Sequence, residues 1–338
     1  MRDMDEGSRG TDGSQADDDW VTEADTLARE ADSASQLSRS VILALLGLAM
    51  VLVVGVLVGV KVFYDRVALQ PVALTDLPSP QADSPECTQL VDALPATLLG
   101  HRRAELAEPA PQGAAAWQSS STQRVTLRCG VDAPLQYTEY TPTEEVGGTR
   151  WMRIDDATPG STMTTWYTVD RFPVVAVTSD ESALNGKNPL PKLDLSALQK
   201  RDMEPAPAPL STLAAGPADH CDALMNDLPG SPAEGFTRLG ADRVHTPDTA
   251  VWVAAGREPI VVRCGVADPE NYTPGVQLYQ INDVTWFEDT KLANGTTSAT
   301  WFALGRDAVV AASLPQAEGN GAVTALSEAI GRNVPGRS

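Results

Sequence analysis

From Val41 to Val60 the chain reads VILALLGLAMVLVVGVLVGV, twenty residues without one polar side chain, bounded by Arg39 and Lys61. At 1.5 Å of rise per residue such a run covers about 30 Å as a helix, the thickness of a bilayer's hydrocarbon core. The pattern predicts a transmembrane helix over residues 40–62. A cleaved signal peptide is the alternative, but its apolar region is about 7–15 residues long and ends at a small-residue cleavage site. Lys61, Phe63 and Tyr64 follow here instead.

Beyond the span the apolar positions take two shorter periods. Cys87, Leu90, Val91 and Leu94 fall at helical spacing, as do Cys221, Leu224, Met225 and Leu228, and each set is ended by a proline. Val125, Leu127, Cys129 and Val131 alternate with Thr126, Arg128 and Gly130, and Ile260, Val262, Cys264 and Val266 with Val261, Arg263 and Gly265. Period two is a strand, with cysteine toward the apolar face and arginine away from it. Further strands are predicted around residues 151–155 and 162–169, and over 174–178 and 308–313. Their turns contain Thr158-Pro159-Gly160, Ala293-Asn294-Gly295, Asp170-Arg171 and Gly305-Arg306, and helices are expected near 193–200 and 323–332. The fold class is α+β: one N-terminal transmembrane helix, then two modules, each an antiparallel sheet with a helix before and after it.

The second half repeats the first. Cys87 matches Cys221 and Leu94-Pro95 matches Leu228-Pro229 at an offset of 134. An offset of 135 then holds for Trp117 and Trp252, Cys129 and Cys264, Tyr137 and Tyr272, Trp151 and Trp286, Trp166 and Trp301, and Arg171 and Arg306. Proline clusters at 71–85 and 204–217 read as extended spacers, because proline fixes φ and removes a donor. The expected organisation is an acidic disordered tail (1–39), the span (40–62), a linker (63–85), a first module (86–200), a second linker (201–218) and a second module (219–333). Within the tail, Trp20, Ala24, Leu27 and Ala31 would share one helical face, a docking peptide for a cytoplasmic partner, although the composition is that of a solvated tail.

Charge narrows the partners. The chain carries a formal −20, of which the first 40 residues, with 4 Arg against 11 Asp or Glu, supply −7. So acidic a chain disfavours nucleic acid, whose phosphates need concentrated Lys and Arg. All four cysteines follow the span, which suits an oxidising compartment and places the N-terminus in the cytoplasm and the modules outside. Basic residues flank the span equally, so the opposite topology stays open on charge alone. Helix and strand cysteines face the same core, so the expected disulfides are Cys87 with Cys129 and Cys221 with Cys264.

Chemistry-bearing residues are sparse. His101, His220 and His245 pair with no nucleophile and read as surface or loop residues, and cysteines about 40 residues apart lack the short spacing of zinc knuckles. No catalytic residue, metal ligand or cofactor site is expected. Gly55 and Gly59 form a G-x-x-x-G through which two spans can associate. Asn271-Tyr272-Thr273 and Asn294-Gly295-Thr296 fit the glycosylation pattern. The matched tryptophans fit core packing, with a ligand groove as the alternative. The matched arginines Arg128 and Arg263, and Arg171 and Arg306, are candidates for partner-facing patches that grip an acidic group; pairing with carboxylates of their own module is the alternative.

Cys221-x-x-Leu-Met-x-x-Leu-Pro229, Trp252, Val262-Arg-Cys-Gly-Val266, Trp286 and Trp301, echoed in the first copy, resemble the domain of unknown function 3515 family, membrane-anchored exported proteins of actinobacteria. The resemblance implies a place, the cell envelope, and no activity. Members usually carry one such domain, and here there are two. The expected function is a non-enzymatic, membrane-anchored extracytoplasmic protein that binds or scaffolds an envelope protein or wall component. An enzyme acting on an envelope polymer, or signalling through the acidic tail, are the alternatives.

Overall fold

The structure is a computed structural model that describes residues 39–68, 70–290 and 296–337. The tail with its Trp20 face, and the turn and sequon at Asn294, lie outside the described residues. Helix α1 (Arg39–Ala68) is apolar on every side from Val41 to Val60, and its apolar stretch between Ser40 and Phe63 contains no buried residue. A soluble helix hides one apolar stripe, whereas one that is apolar all round needs an apolar surrounding. Length and composition suffice to cross a bilayer.

From Val67 to Ser338 the chain is one compact unit built of two modules. The first begins with α2 (Pro85–Ala93), whose N-terminus is capped by the Ser84 hydroxyl accepting from the Cys87 amide. Its strands are β1 (Thr97–Leu98), β2 (His101–Ala104), β3 (Ala114–Gln118), β4 (Arg124–Cys129), β5 (Thr143–Val146), β6 (Thr149–Asp155), β7 (Met163–Thr168), β8 (Arg171–Phe172) and β9 (Val175–Asp180), followed by the one-turn helix α3 (Glu181–Leu184) and β10 (Gln199–Lys200). The second contains α4 (Cys221–Asp227), β11 (Thr237–Arg238), β12 (Thr249–Val253), β13 (Ile260–Val266), β14 (Leu278–Ile281), β15 (Val284–Asp289), β16 (Ser298–Leu304), β17 (Val309–Pro315) and α5 (Gly319–Asn333).

The main sheets run β1-β2-β3-β4-β9-β7-β6-β5 and β11-β12-β13-β17-β16-β15-β14, antiparallel throughout. From β2 onward the first order maps onto the second strand for strand, so the duplication extends to topology. On the inner face of each sheet the cysteine helix and the tryptophans form a core, around Leu90, Trp117, Leu127 and Val177 in one copy and Leu224, Trp252, Val262 and Val310 in the other.

Three expectations change. The helix near 193–200 does not form. The chain makes a 3-10 turn at Leu190–Lys192 and then an irregular path, ending in β10, that buries Leu190, Leu195 and Leu198 where the second copy packs α5. The two proline-rich stretches are not free spacers but straps laid over the outer faces of the sheets. Val72 is buried and bridges to Leu106, while Ala208 and Leu210 join Val251, Val261, Phe302 and Val309 in a core cluster on the outer face of the second sheet. Proline signalled extended backbone correctly, but the apolar residues between the prolines dock. Finally, the modules touch. Tyr140 of the first enters that same cluster, and the Asp155 amide donates to the Gly256 carbonyl at 2.8 Å.

Covering both faces shows in the strands. β13 is buried at all seven positions, whereas β4 alternates, because Val261 occupies the outward position held by Thr126 in the first copy.

Helices α4 and α5 are tied by Asp227, whose carboxylate accepts from Asn333 Nδ2 at 2.6 Å and Arg332 Nε at 3.0 Å. The Asn333 and Arg332 hydrogen bonds hold the Asp227 carboxyl below its ordinary value, and Thr162 and Ser182 do the same for Asp180. A depressed native pKa contributes stability above the unfolded value of about 3.9 and loses it as pH falls through the native value. Denaturant midpoints should therefore hold steady from neutral pH to about 5 and fall below about 4. Asp227→Asn should flatten part of that acid limb, and an unchanged slope would remove Asp227 from the account.

Candidate functional site

One set of residues that recurs in both copies sits at the ends of β4 and β13. There, Arg128-Cys129-Gly130 and Arg263-Cys264-Gly265 each join three pieces of chain. Strand alternation sends the cysteine inward, where Cys129 bonds Cys87 across a Cα separation of 5.5 Å and Cys264 bonds Cys221 across 5.6 Å. All four are buried.

The arginine points to the outer face and takes hold of the strap. Arg128 Nη2 donates to the Thr75 carbonyl, and Arg263 Nη1 donates to the carbonyls of Leu210 and Leu213, both at 2.9 Å. Thr75 and Leu210 are separated by the same 135 residues as the arginines, so this contact is duplicated too. Burial lowers the basicity of Arg128, and the nearby Asp76 carboxylate opposes that shift.

The glycine lets the strap backbone come close. Gly130 and Gly265 have φ of +82° and +71°, and their carbonyls accept from the Gln81 and Gly216 amides at 3.2 and 2.8 Å. A Cβ on Gly130 would stand 2.3 Å from backbone atoms of Gln81 and Ala82.

The second arginine pair ties a different junction. Arg171 donates to the Asp170 carboxylate at 2.8 Å and to the Gly148 carbonyl at 2.6 Å. Arg306 donates to the carbonyls of Val334, at 3.0 Å, and Asp283, the position matching Gly148. Arg263 and Arg306 are only 9% and 8% exposed. For Arg263 and Arg306 the expectation of partner-facing patches is thereby corrected. These guanidinium groups are spent on carbonyls of their own fold, because turns and straps leave acceptors that strands do not satisfy. Of the four, Arg171 alone also pairs with a carboxylate, among the described residues.

A third recurring pair, Arg103 and Arg238, escaped the reading from sequence. Each guanidinium lies over an inner-face indole, 5.3 Å from Trp117 and 5.5 Å from Trp252, and donates to the last turn of the cysteine helix, at Val91 and Met225. The two indole N–H groups donate to the carbonyls of Pro95 and Pro229 at 2.8 and 2.9 Å. The 135-residue offset between Arg103 and Arg238 was the available signal.

Trp117, Trp151, Trp252 and Trp286 are wholly buried, as core packing requires, whereas the matched Trp166 lines a surface cleft. Trp286 Nε1 donates to Ser327 of α5 at 2.9 Å, whereas Trp151 Nε1 has no partner among the described residues. His101 is buried rather than on the surface, with its ring nitrogens 2.9 Å from Ser119 Oγ and 2.7 Å from the Ala183 carbonyl. Asn271 donates to Asp289 at 2.8 Å. Among the described residues no three His, Cys, Asp or Glu side chains gather as a metal site would require.

One cleft of about 280 Å³ opens where the second strap, the outer face of the second sheet and the 135–138 segment of the first module meet. Its floor is hydroxyl-bearing and its walls are proline-rich.

Gly130→Ala should destabilise the first module by about 2 kcal/mol or more, through left-handed strain and the collision with the strap. Arg263→Gln, which strands buried carbonyls, should cost about 1–3 kcal/mol. Urea denaturation with the disulfides intact measures both, and values within error of the parent would dissolve the three-way junction.

No curated protein and no solved structure matches the chain. A family model described as a protein of unknown function (DUF3515) matches twice, over residues 46–196 and 193–338, so that each match takes in a strap as well as a module. The chain belongs to the DUF3515 family, as a tandem duplication of its domain.

Proposed function

We propose that the chain is a membrane-anchored extracytoplasmic envelope protein whose paired modules act by binding rather than by catalysis. The observation that carries the placement is the pairing of all four cysteines in two buried disulfides, in modules that follow an uninterrupted apolar helix. Retention of α1 as an anchor is supported by its apolar length, Ser40–Phe63, well beyond that of a secretory signal. The acidic N-terminal tail then lies in the cytoplasm and both modules outside. Gly55 and Gly59, one turn apart in α1, offer a face for self-association.

Binding is favoured over catalysis by how the polar groups are used. The recurring arginines, indoles and cysteines hold straps, turns and helices, and the buried histidine is engaged at both ring nitrogens. Catalysis needs a convergent acid, base or nucleophile. The modules instead offer a rigid, twice-covered sheet as a platform, and an envelope protein or wall component is the expected partner.

Protease added to wall-stripped cells should digest the modules and spare the tail, read with antibodies to each end. Loss of the tail alone would reverse the topology. Crosslinking in intact membranes should capture an envelope component on module surfaces, and capture of cytoplasmic proteins there would overturn the placement.

A further inference from the structure

We propose that the cleft on the outer face of the second sheet binds one neutral sugar ring. The proposal deepens the binding role above and takes its biological setting from that reading.

The floor of the cleft is made by Thr300 of β16 and Ser313 of β17, direct cross-strand partners. They are 8% and 5% exposed, and neither hydroxyl makes a hydrogen bond to protein among the described residues. In the first sheet the matched residues Thr165 and Thr178 are also cross-strand partners, and there the hydroxyls bond each other at 2.9 Å. The second copy has given up that internal bond and leaves two adjacent donor–acceptor groups facing the cleft. The side chains are largely buried but their hydroxyls open to the cleft with their hydrogen-bonding capacity unspent on protein, so an occupant that supplies hydrogen bonds takes the place of water there.

The remaining lining selects the occupant. Pro207, Pro209 and Pro259 present C–H surface, fitting the apolar face of a pyranose or furanose ring. No Lys or Arg lines the cleft, so a phosphate or carboxylate ligand would find no counter-charge. Glu258 is the one carboxylate. It already accepts from the Thr297 amide and hydroxyl at 2.8 Å and from the Ser298 hydroxyl, so it does not call for a cation. No aromatic ring lines the cleft to stack a nucleobase. A volume near 280 Å³ lies just under the roughly 300–1,000 Å³ of drug-sized sites and suits a single ring. An added peptide strand would need an open sheet edge, and here the strap already covers the face.

The test is saturation-transfer NMR on the full chain in lipid nanodiscs, with glucose, galactose, arabinose and N-acetylglucosamine as separate probes. At least one should receive saturation at its ring protons. Thr300→Val with Ser313→Ala should weaken that binding tenfold or more. Leu135→Trp blocks the rim from a side chain 54% exposed, so it should also abolish binding while leaving the melting temperature unchanged. Silence from all four sugars, or binding that survives both variants, overturns the proposal. Sugar silence with the protected tail intact removes the cleft assignment alone, whereas a reversed protease pattern with sugar binding removes only the topology.

Discussion

The grip of one arginine on the carbonyls of a strap determines how much of each sheet is dry. A small antiparallel sheet can leave one face to water only if that face is polar. In the second copy it is not, since Val251, Val261, Phe302 and Val309 all point outward. Arg263 fixes the strap that covers them, and the adjacent Cys264 fixes the helix that covers the other side. Because the two residues are neighbours on one strand, pleating alone delivers them to opposite faces, and the glycine after them removes the side chain that would hold the strap away. Closing a loop of about 40 residues contributes roughly 4 kcal/mol through the denatured state. The strap contributes through burial in the native state. The two devices therefore act on opposite sides of the folding equilibrium.

The copies solve the same packing problem differently. The second closes its inner core with α5, which also satisfies the Trp286 indole through Ser327. The first uses leucines on a proline-broken path, which reach the core but supply no partner for the matched Trp151 indole. Its outer face is correspondingly polar, with Thr126, Thr165 and Thr178 in one row across the sheet. The less polar outer face of the second copy then receives both its strap and Tyr140 of the first module. Divergence after duplication has converted two similar units into one body with an asymmetric seam.

Much of the architecture was legible because it rested on periodicity. The cysteine helices, the strands through Cys129 and Cys264 and the repeat itself follow from spacings that survive without tertiary context. The straps were not legible as straps. Proline-rich sequence specifies extended backbone equally for a free linker and for a docked one, and only the partner face distinguishes them. That face was partly written in the replacement of Thr126 by Val261, an apolar residue at an outward position that requires a cover. The role of the arginines was hidden for a related reason: a recurring surface-pattern charge says that something must be gripped, not whether it belongs to the same chain. The absent helix over 193–200 shows that an apolar spacing of Leu195 and Leu198 serves an irregular path into the core as well as a helix.

This division between what recurs and what differs also says where function should be sought. The arginines and cysteines kept at or near an offset of 135 keep a fold, since they hold a helix, a turn or a strap. A binding site in a duplicated protein more naturally resides where the copies have parted. Along the seam, Val72 and Leu74 of the first strap correspond to Pro207 and Pro209 of the second, Gln123 and Arg124 to Glu258 and Pro259, and the bonded Thr165–Thr178 pair to the unbonded Thr300–Ser313 pair. These changes replace a cation by proline, exchange branched aliphatic side chains for rigid proline rings and release two hydroxyls at one place. A cleft that presents two adjacent hydroxyls, unspent on protein, beside proline walls has the chemistry of recognition.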